Sequence, residues 1–295
     1  MSKLVSASRL FGGMVKQFIH ESSVTKTSMR YSVFLPPNLK QGSIPVLYYL
    51  SGLTCTDENF THKAGAAQHA AKHNLILVTP DTSPRRTGDS LVGEDDDYDF
   101  GSGAGFYVNA TESPWSDEGG YYMDDYVNQE LPAVVKEALG KTDRGNNVVC
   151  PTRKSIFGHS MGGHGALTSA LRNPGKYKSC SAFAPISNPT KCPWGQKAFK
   201  GYLGSVDAGI KYDATELAYI YQGPEQLNIL MDTGTGDDFY EQGQLLPENF
   251  VNACNTNELI HVESRMQDGY DHSYNFISTF VGDHIDFHAV YLNVD

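Results

Sequence analysis

The chain has 295 residues, 40% of them hydrophobic and 19% charged, and its 23 lysines and arginines face 34 aspartates and glutamates for a formal charge of −11. That balance argues against a nucleic-acid or anionic-membrane partner, because no basic cluster offsets the repulsion. No apolar run is long enough to span a bilayer, the first residues lack the apolar core of a signal peptide, and five cysteines (55, 150, 180, 192 and 254) make neither an even disulfide set nor a C-x-x-C pair. A cytoplasmic protein with reduced thiols, no metal and no cofactor is expected.

In chain order, residues 14–20 and 26–35 read as an antiparallel pair at a sheet edge, the second alternating Met29, Tyr31, Val33 and Leu35. Short apolar strands follow at 46–50, 75–79, 154–157, 179–184, 227–231 and 259–263, with helices at 60–72, 121–139, 163–172, 245–255 and 273–290. Such alternation predicts an α/β fold: a mostly parallel central sheet with helices on both faces and an antiparallel N-terminal edge. With no linker, repeat or composition change, residues 1–295 read as a single domain. The acidic run Glu94–Asp97 with Asp99 lacks the glycine and terminal glutamate of a calcium loop and reads as a solvated loop. His284 and His288 lie one turn apart on the last helix; without a glutamate base they read as solvent-facing rather than metal-binding.

One motif carries chemistry. Residues 153–157 rise as a strand into Gly158-His159-Ser160-Met161-Gly162, and a helix-compatible stretch follows to Leu171. This is G-x-S-x-G in the strand–turn–helix setting of the α/β-hydrolase nucleophile elbow. Glycines at 158 and 162 remove side chains that would collide with the facing strand or helix and leave the Ser160 hydroxyl exposed. A serine nucleophile needs a base, and the base an orienting carboxylate, in the chain order Ser, acid, His. His272 fits the base: it lies in the loop Gln267–Ser273 after the strand 259–263, downstream of every candidate acid. His62, His69 and His73 fall on a surface helix, and His159 and His164 at the elbow. For the acid, Asp232, Asp237, Asp238 and Asp271 are all near. Asp232 falls too early, inside the strand end, and Asp271 adjoins the base; the residues favour Asp237, with Asp238 as a capping or solvated neighbour.

The runs Tyr49–Thr56, Pro80–Pro84, Asp99–Tyr107, Phe157–His164, Ala182–Ile186, Pro193–Phe199 and Gly269–Tyr274 together resemble the S-formylglutathione hydrolase (esterase D) family, from about residue 11 to the C-terminus. The resemblance implies a serine thioesterase of the α/β-hydrolase fold that cleaves S-formylglutathione to glutathione and formate in formaldehyde detoxification through an acyl-enzyme. It implies Ser160 as nucleophile, His272 as base and Asp237 as acid, the last by matching Asp-x-Phe to Asp237–Phe239. It also implies an oxyanion hole from the backbone N–H groups of Leu53 and Met161, and makes Trp194 a wall that limits acyl size. Losing one such N–H donor typically costs roughly 3–4 kcal/mol of transition-state stabilisation. Tyr98 stands where relatives often carry Trp, and Arg85-Arg86-Thr87 replaces a tighter turn.

Glutathione is anionic, so its attraction to this acidic chain has to be local. Lys197 and Lys200 within the Trp194–Gly201 motif are the nearest cations, with Lys63 next. His159 and Cys55 are further pocket candidates; Cys55, two residues past Leu53, is placed close to Ser160. A broad short-chain carboxylesterase or acyltransferase would use the same triad with a different acyl pocket. The oligomeric state is open, a homodimer included.

Overall fold

The structure, a computed structural model, describes residues 1–39, 43–85, 95–117, 120–142 and 145–293. Arg86, Thr87 and Glu94, singled out above, lie outside the described residues. Nine strands form one sheet: β1 (Lys3–Leu10), β2 (Gly13–Glu21), β3 (Ser28–Leu35), β4 (Ile44–Leu50), β5 (Ile76–Pro80), β6 (Val149–His159), β7 (Cys180–Phe183), β8 (Leu227–Gly234) and β9 (Ile260–Gln267), in the order β1-β2-β3-β5-β4-β6-β7-β8-β9. The β1, β2, β3 and β5 pairings are antiparallel and all those from β5 through β4 to β9 parallel. This is the expected α/β sheet with an antiparallel N-terminal edge. The edge itself is β1, which the sequence reading missed: seven of its eight residues are exposed, so no apolar alternation marks it.

All seven residues of β4 are buried, as a strand covered on both faces requires. Successive side chains of β6 part to opposite faces: Phe157 meets Tyr49, Phe60 and His288 of the C-terminal helix, whereas Gly158 abuts the helix Met161–Arg172. The winding reverses between β4 and β6, neighbours whose carboxyl ends therefore border the crevice where such sheets bind ligands.

Two local departures have clear causes. The single helix expected at 121–139 is broken into Met123–Asp125, a π-helical turn Tyr126–Glu130 and Leu131–Leu139. Pro132 has no N–H to give the Asn128 carbonyl, which accepts from the Lys176 ammonium instead. Second, His284 and His288 are not solvent-facing. Both are fully buried in the helix Tyr274–Leu292, within a continuous hydrogen-bonded chain. Ser155 Oγ meets Ser179 Oγ, Ser179 and Ser181 flank the two nitrogens of His288, and Ser181 meets His284 Nδ1, each at 2.8 Å. His284 Nε2 reaches Asp232 at 3.2 Å, and Asp232 takes a two-pronged contact from Arg265 at 2.6 Å.

Burial holds His284 below the ordinary histidine range, against the opposing pull of Asp232, and holds His288 well below it, helped by the charge His284 would carry. His164, buried against the Phe106 carbonyl, is brought down to about 4. Below the unfolded histidine value of about 6.5 the unfolded chain binds protons that the folded chain refuses. Stability should therefore be greatest above about pH 6.5 and fall as the pH drops toward 4. Urea unfolding at pH 7 and pH 5 tests this: the midpoint should fall at pH 5. His288→Gln should lower stability at pH 7 by roughly 1–3 kcal/mol and flatten that pH dependence.

Candidate active site

β6 ends at His159, and the next residue turns the chain into the helix Met161–Arg172. Ser160 holds φ +58° and ψ −120°, a conformation that L-residues seldom adopt and that costs about 1–3 kcal/mol unless its surroundings enforce it. The enforcement is steric. A Cβ on Gly158 would lie 2.2 Å from the Gly162 carbonyl oxygen, and one on Gly162 would lie 2.0 Å from that of Leu50. Ser160 N–H donates to the Phe183 carbonyl at 2.9 Å, and its own carbonyl accepts from His164 and Ile186 at 3.0 and 3.3 Å. The elbow is thus pinned to the end of β7.

The neighbouring strand β4 runs out into Ser51-Gly52-Leu53 directly beside it: a Cβ on Gly52 would be 3.2 Å from Ser160 Cβ. Met161 opens the elbow helix, so its N–H is among those that the helix leaves unused, and the helix N-terminus favours negative charge there.

His272 and Asp237 come from the loops after β9 and β8. His272 Nδ1 lies 2.5 Å from Asp237 Oδ2, which directs the Nδ1 proton to the carboxylate and leaves Nε2 as the basic nitrogen. Asp237 is fully buried, and its other oxygen accepts from the N–H groups of Phe239 (2.8 Å) and Tyr240 (3.3 Å), capping the helix Asp238–Glu241. The capping role expected of Asp238 thus belongs to Asp237, one oxygen serving the helix and the other the imidazole. Asp238 is exposed on the first turn, Asp232 is committed to Arg265 and His284 inside β8, and Asp271 Oδ1 is taken by Ser273.

The His272 ring packs against Phe239 (centroids 4.8 Å apart) and His159 (4.4 Å). His159 is buried, and burial, reinforced by the nearby His272, holds it well below the ordinary histidine range. It is a neutral neighbour, which spares His272 a second positive charge. Ser160, His159 and His272 open onto a cleft of about 530 Å³ that also exposes Leu53, Cys55, Lys63 and Trp194. A hydroxyl on a strained turn, an imidazole oriented by a buried carboxylate and backbone N–H groups at a helix start are the parts that acyl transfer to serine requires.

The family model described as "Putative esterase" matches residues 22–287. An S-formylglutathione hydrolase of Mus musculus is 54% identical over 99% of this chain and 99% of its own length, and one of Arabidopsis thaliana 49% identical over 97% and 96%. The chain belongs to the S-formylglutathione hydrolase family. A solved S-formylglutathione hydrolase from Agrobacterium tumefaciens, 42% identical, superposes with a TM-score of 0.89 over 98% of this chain and 99% of that one.

Among the sequence-derived pocket candidates, Lys197 is displaced. Its ammonium is held by Asp97 at 2.6 Å and Asp99 at 2.5 Å and does not line the cleft, nor does Lys200. Those aspartates lie about a hundred residues upstream, so local sequence could not reveal them. Lys63 does line the cleft, 5.5 Å from the centroid of the Tyr274 ring. Sequence reasoning missed Phe239, Tyr274, Asn275 and Tyr98 as lining residues. Phe239 had a signal, since it is the aromatic residue of the Asp-x-Phe pattern; here it packs on both His272 and Trp194.

Two outcomes follow from this geometry. Asp237→Asn should lower kcat by about 10⁴-fold, the loss seen when an orienting carboxylate is neutralised elsewhere, while Asp238→Asn and Asp271→Asn stay within about threefold. Steady-state kinetics of the three variants decides it, and a larger loss in either neighbour would reassign the carboxylate. N-ethylmaleimide should inhibit through Cys55, whose thiol lines the cleft 4.0 Å from the Tyr274 hydroxyl and is pushed up by burial, so that inactivation speeds as pH rises. Cys150 competes for the reagent: against the burial that raises it, hydrogen bonds from Arg153 and neighbouring backbone bring it to about 7. It lies at the opposite end of β6, so its labelling should leave activity intact, and Cys55→Ser should resist inhibition. Peptide mapping beside residual activity separates the two thiols.

Proposed function

We propose that this protein hydrolyses S-formylglutathione to glutathione and formate, with Ser160 as nucleophile, His272 as general base and Asp237 as the carboxylate that orients it. The observation that carries the proposal is near-full-length likeness to curated S-formylglutathione hydrolases, and the His272–Asp237 contact supports the assignment of roles. Ser160 Oγ attacks the formyl carbon as His272 Nε2 takes its proton. The Leu53 and Met161 N–H groups receive the developing oxyanion. Collapse expels the glutathione sulfur with a proton from His272 and leaves a formyl-serine. Water, deprotonated by His272, attacks that ester and releases formate, returning the proton to Ser160.

The cleft suits a small acyl group. Trp194 and Phe239 pack together at 4.6 Å, and a wall of two rings beside the nucleophile leaves little room for long chains. Lys63 is the cleft cation suited to a glutathione carboxylate. Residues 1–295 work as one domain, because one sheet takes strands from Lys3 to Gln267. Five free cysteines suit a cytoplasmic enzyme, and light scattering tests for a homodimer. Among the described residues no helix is long and apolar enough to cross a membrane.

Turnover of S-formylglutathione beside p-nitrophenyl esters of increasing chain length tests the substrate. The thioester should have the highest kcat/KM, and a preference for longer esters would favour the general carboxylesterase. Ser160→Ala and His272→Ala should each abolish turnover, and the double variant should lose little more than either alone, since the two residues act as a unit. Additive losses would contradict that unit.

A further inference from the structure

The segment 52–55 beside Ser160 is a tight turn closed by Cys55 N–H on the Gly52 carbonyl at 3.3 Å. Thr54 occupies its third position with φ +66°, where glycine or asparagine is the ordinary occupant. A β-branched residue there is strained and persists only when neighbours over-determine it. They do so on both sides. Thr54 N–H donates to the Gly103 carbonyl at 2.9 Å, and Gly103 is itself tied to Ser83 Oγ at 2.7 Å. The Cys55 carbonyl takes two donors: Thr82 Oγ1 at 2.6 Å and Arg85 Nη2 at 2.8 Å. Arg85 is in turn seated on the carboxylate of Asp81, its Nε 3.0 and 2.9 Å from the two oxygens, and Asp81 is only 4% exposed. The Asp81 N–H bonds the Arg30 carbonyl at 3.0 Å, which fixes this base to the end of β5 and its partner β3.

We propose that Arg85, anchored on Asp81, is a positioning residue for the oxyanion hole: it grips the Cys55 carbonyl and so holds the strained turn that presents the Leu53 N–H to Ser160. The proposal rests on Leu53 as an oxyanion donor. Without the guanidinium the Cys55 carbonyl keeps only Thr82 Oγ1, the strained turn loosens as Thr54 drifts from positive φ, and the preceding Gly52–Leu53 peptide, which carries the Leu53 N–H, shifts out of line. A misplacement of about 1 Å in such a group costs on the order of 10²-fold in rate, while ground-state binding of the glutathione portion is left alone.

The test is Arg85→Met, with Arg85→Lys as the conservative variant, read by kcat, KM, product inhibition by glutathione, and inhibition by a short alkylboronic acid that becomes a tetrahedral anion on Ser160. Arg85→Met should lose about 10²-fold in kcat with KM and glutathione inhibition within about threefold. Its boronate inhibition constant should rise in parallel with the loss in kcat, and Arg85→Lys should fall between. Adding Thr54→Gly, which makes the positive φ unstrained, should restore about tenfold of the lost kcat. Unchanged kcat and boronate affinity in Arg85→Met overturn the proposal. So does a loss of kcat that Thr54→Gly fails to relieve, since Arg85 then acts through general packing. If the wild type itself binds the boronate no better than a neutral amide of the same shape, the oxyanion-hole reading fails instead. Should Arg85→Met not fold, because it leaves Asp81 buried and unpaired, the neutral pair Asp81→Asn with Arg85→Gln puts the same question.

Discussion

A Cβ at Gly162 would stand 2.0 Å from the Leu50 carbonyl oxygen, so the first turn of the elbow helix meets the end of β4 at a separation no side chain can occupy. This backbone-to-backbone approach fixes three things together. It bends the chain at Ser160 into its disfavoured conformation, brings the start of the helix dipole behind the hydroxyl, and lays Gly52 against the serine. A residue larger than glycine at 158 or 162 would push strand and helix apart and draw Ser160 away from the β4 loop. The topology serves the same end, because β4 and β6 are neighbours only where the sheet reverses its winding.

Asp237 shows how few groups the remainder of the centre needs. Its carboxylate is shared between a helix N-terminus and an imidazole, so it is held by backbone that cannot rotate away. A carboxylate so fixed selects one tautomer and one ring orientation of His272. Phe239, positioned by the helix that Asp237 caps, then closes one side of the same ring.

The elbow turn at Ser160, the meeting of Asp237 with His272 and the parallel sheet were legible because each is written locally: glycines at fixed spacing, apolar runs with turn residues after them, a His just beyond a strand. What was not legible depends on partners distant in the chain. His284 and His288 look like a polar helical pair until Ser179, Ser181 and Asp232 are brought under them by β7 and β8. Lys197 looks free until Asp97 and Asp99 fold over it. β1 escaped notice for the opposite reason: exposed along nearly its whole length, it answers to backbone pairing with β2 and has no burial pattern to read. The π-helical turn was hidden because proline is ordinarily read as a helix start, whereas Pro132 sits just inside one segment of a longer helical run.

The two ion pairs of Lys197 do more than hold it away from the cleft. Tyr98 lies between Asp97 and Asp99, and Trp194 lies one helical turn before Lys197; both aromatic residues line the cleft. The lysine therefore ties together two segments that line the cleft, by charge rather than by apolar contact, with its outer partner 65% exposed. An exposed pair of this kind is weakened by added salt. Added salt therefore loosens the attachment of the Tyr98 segment to the Trp194 helix, whereas the buried Asp237–His272 pair is screened much less.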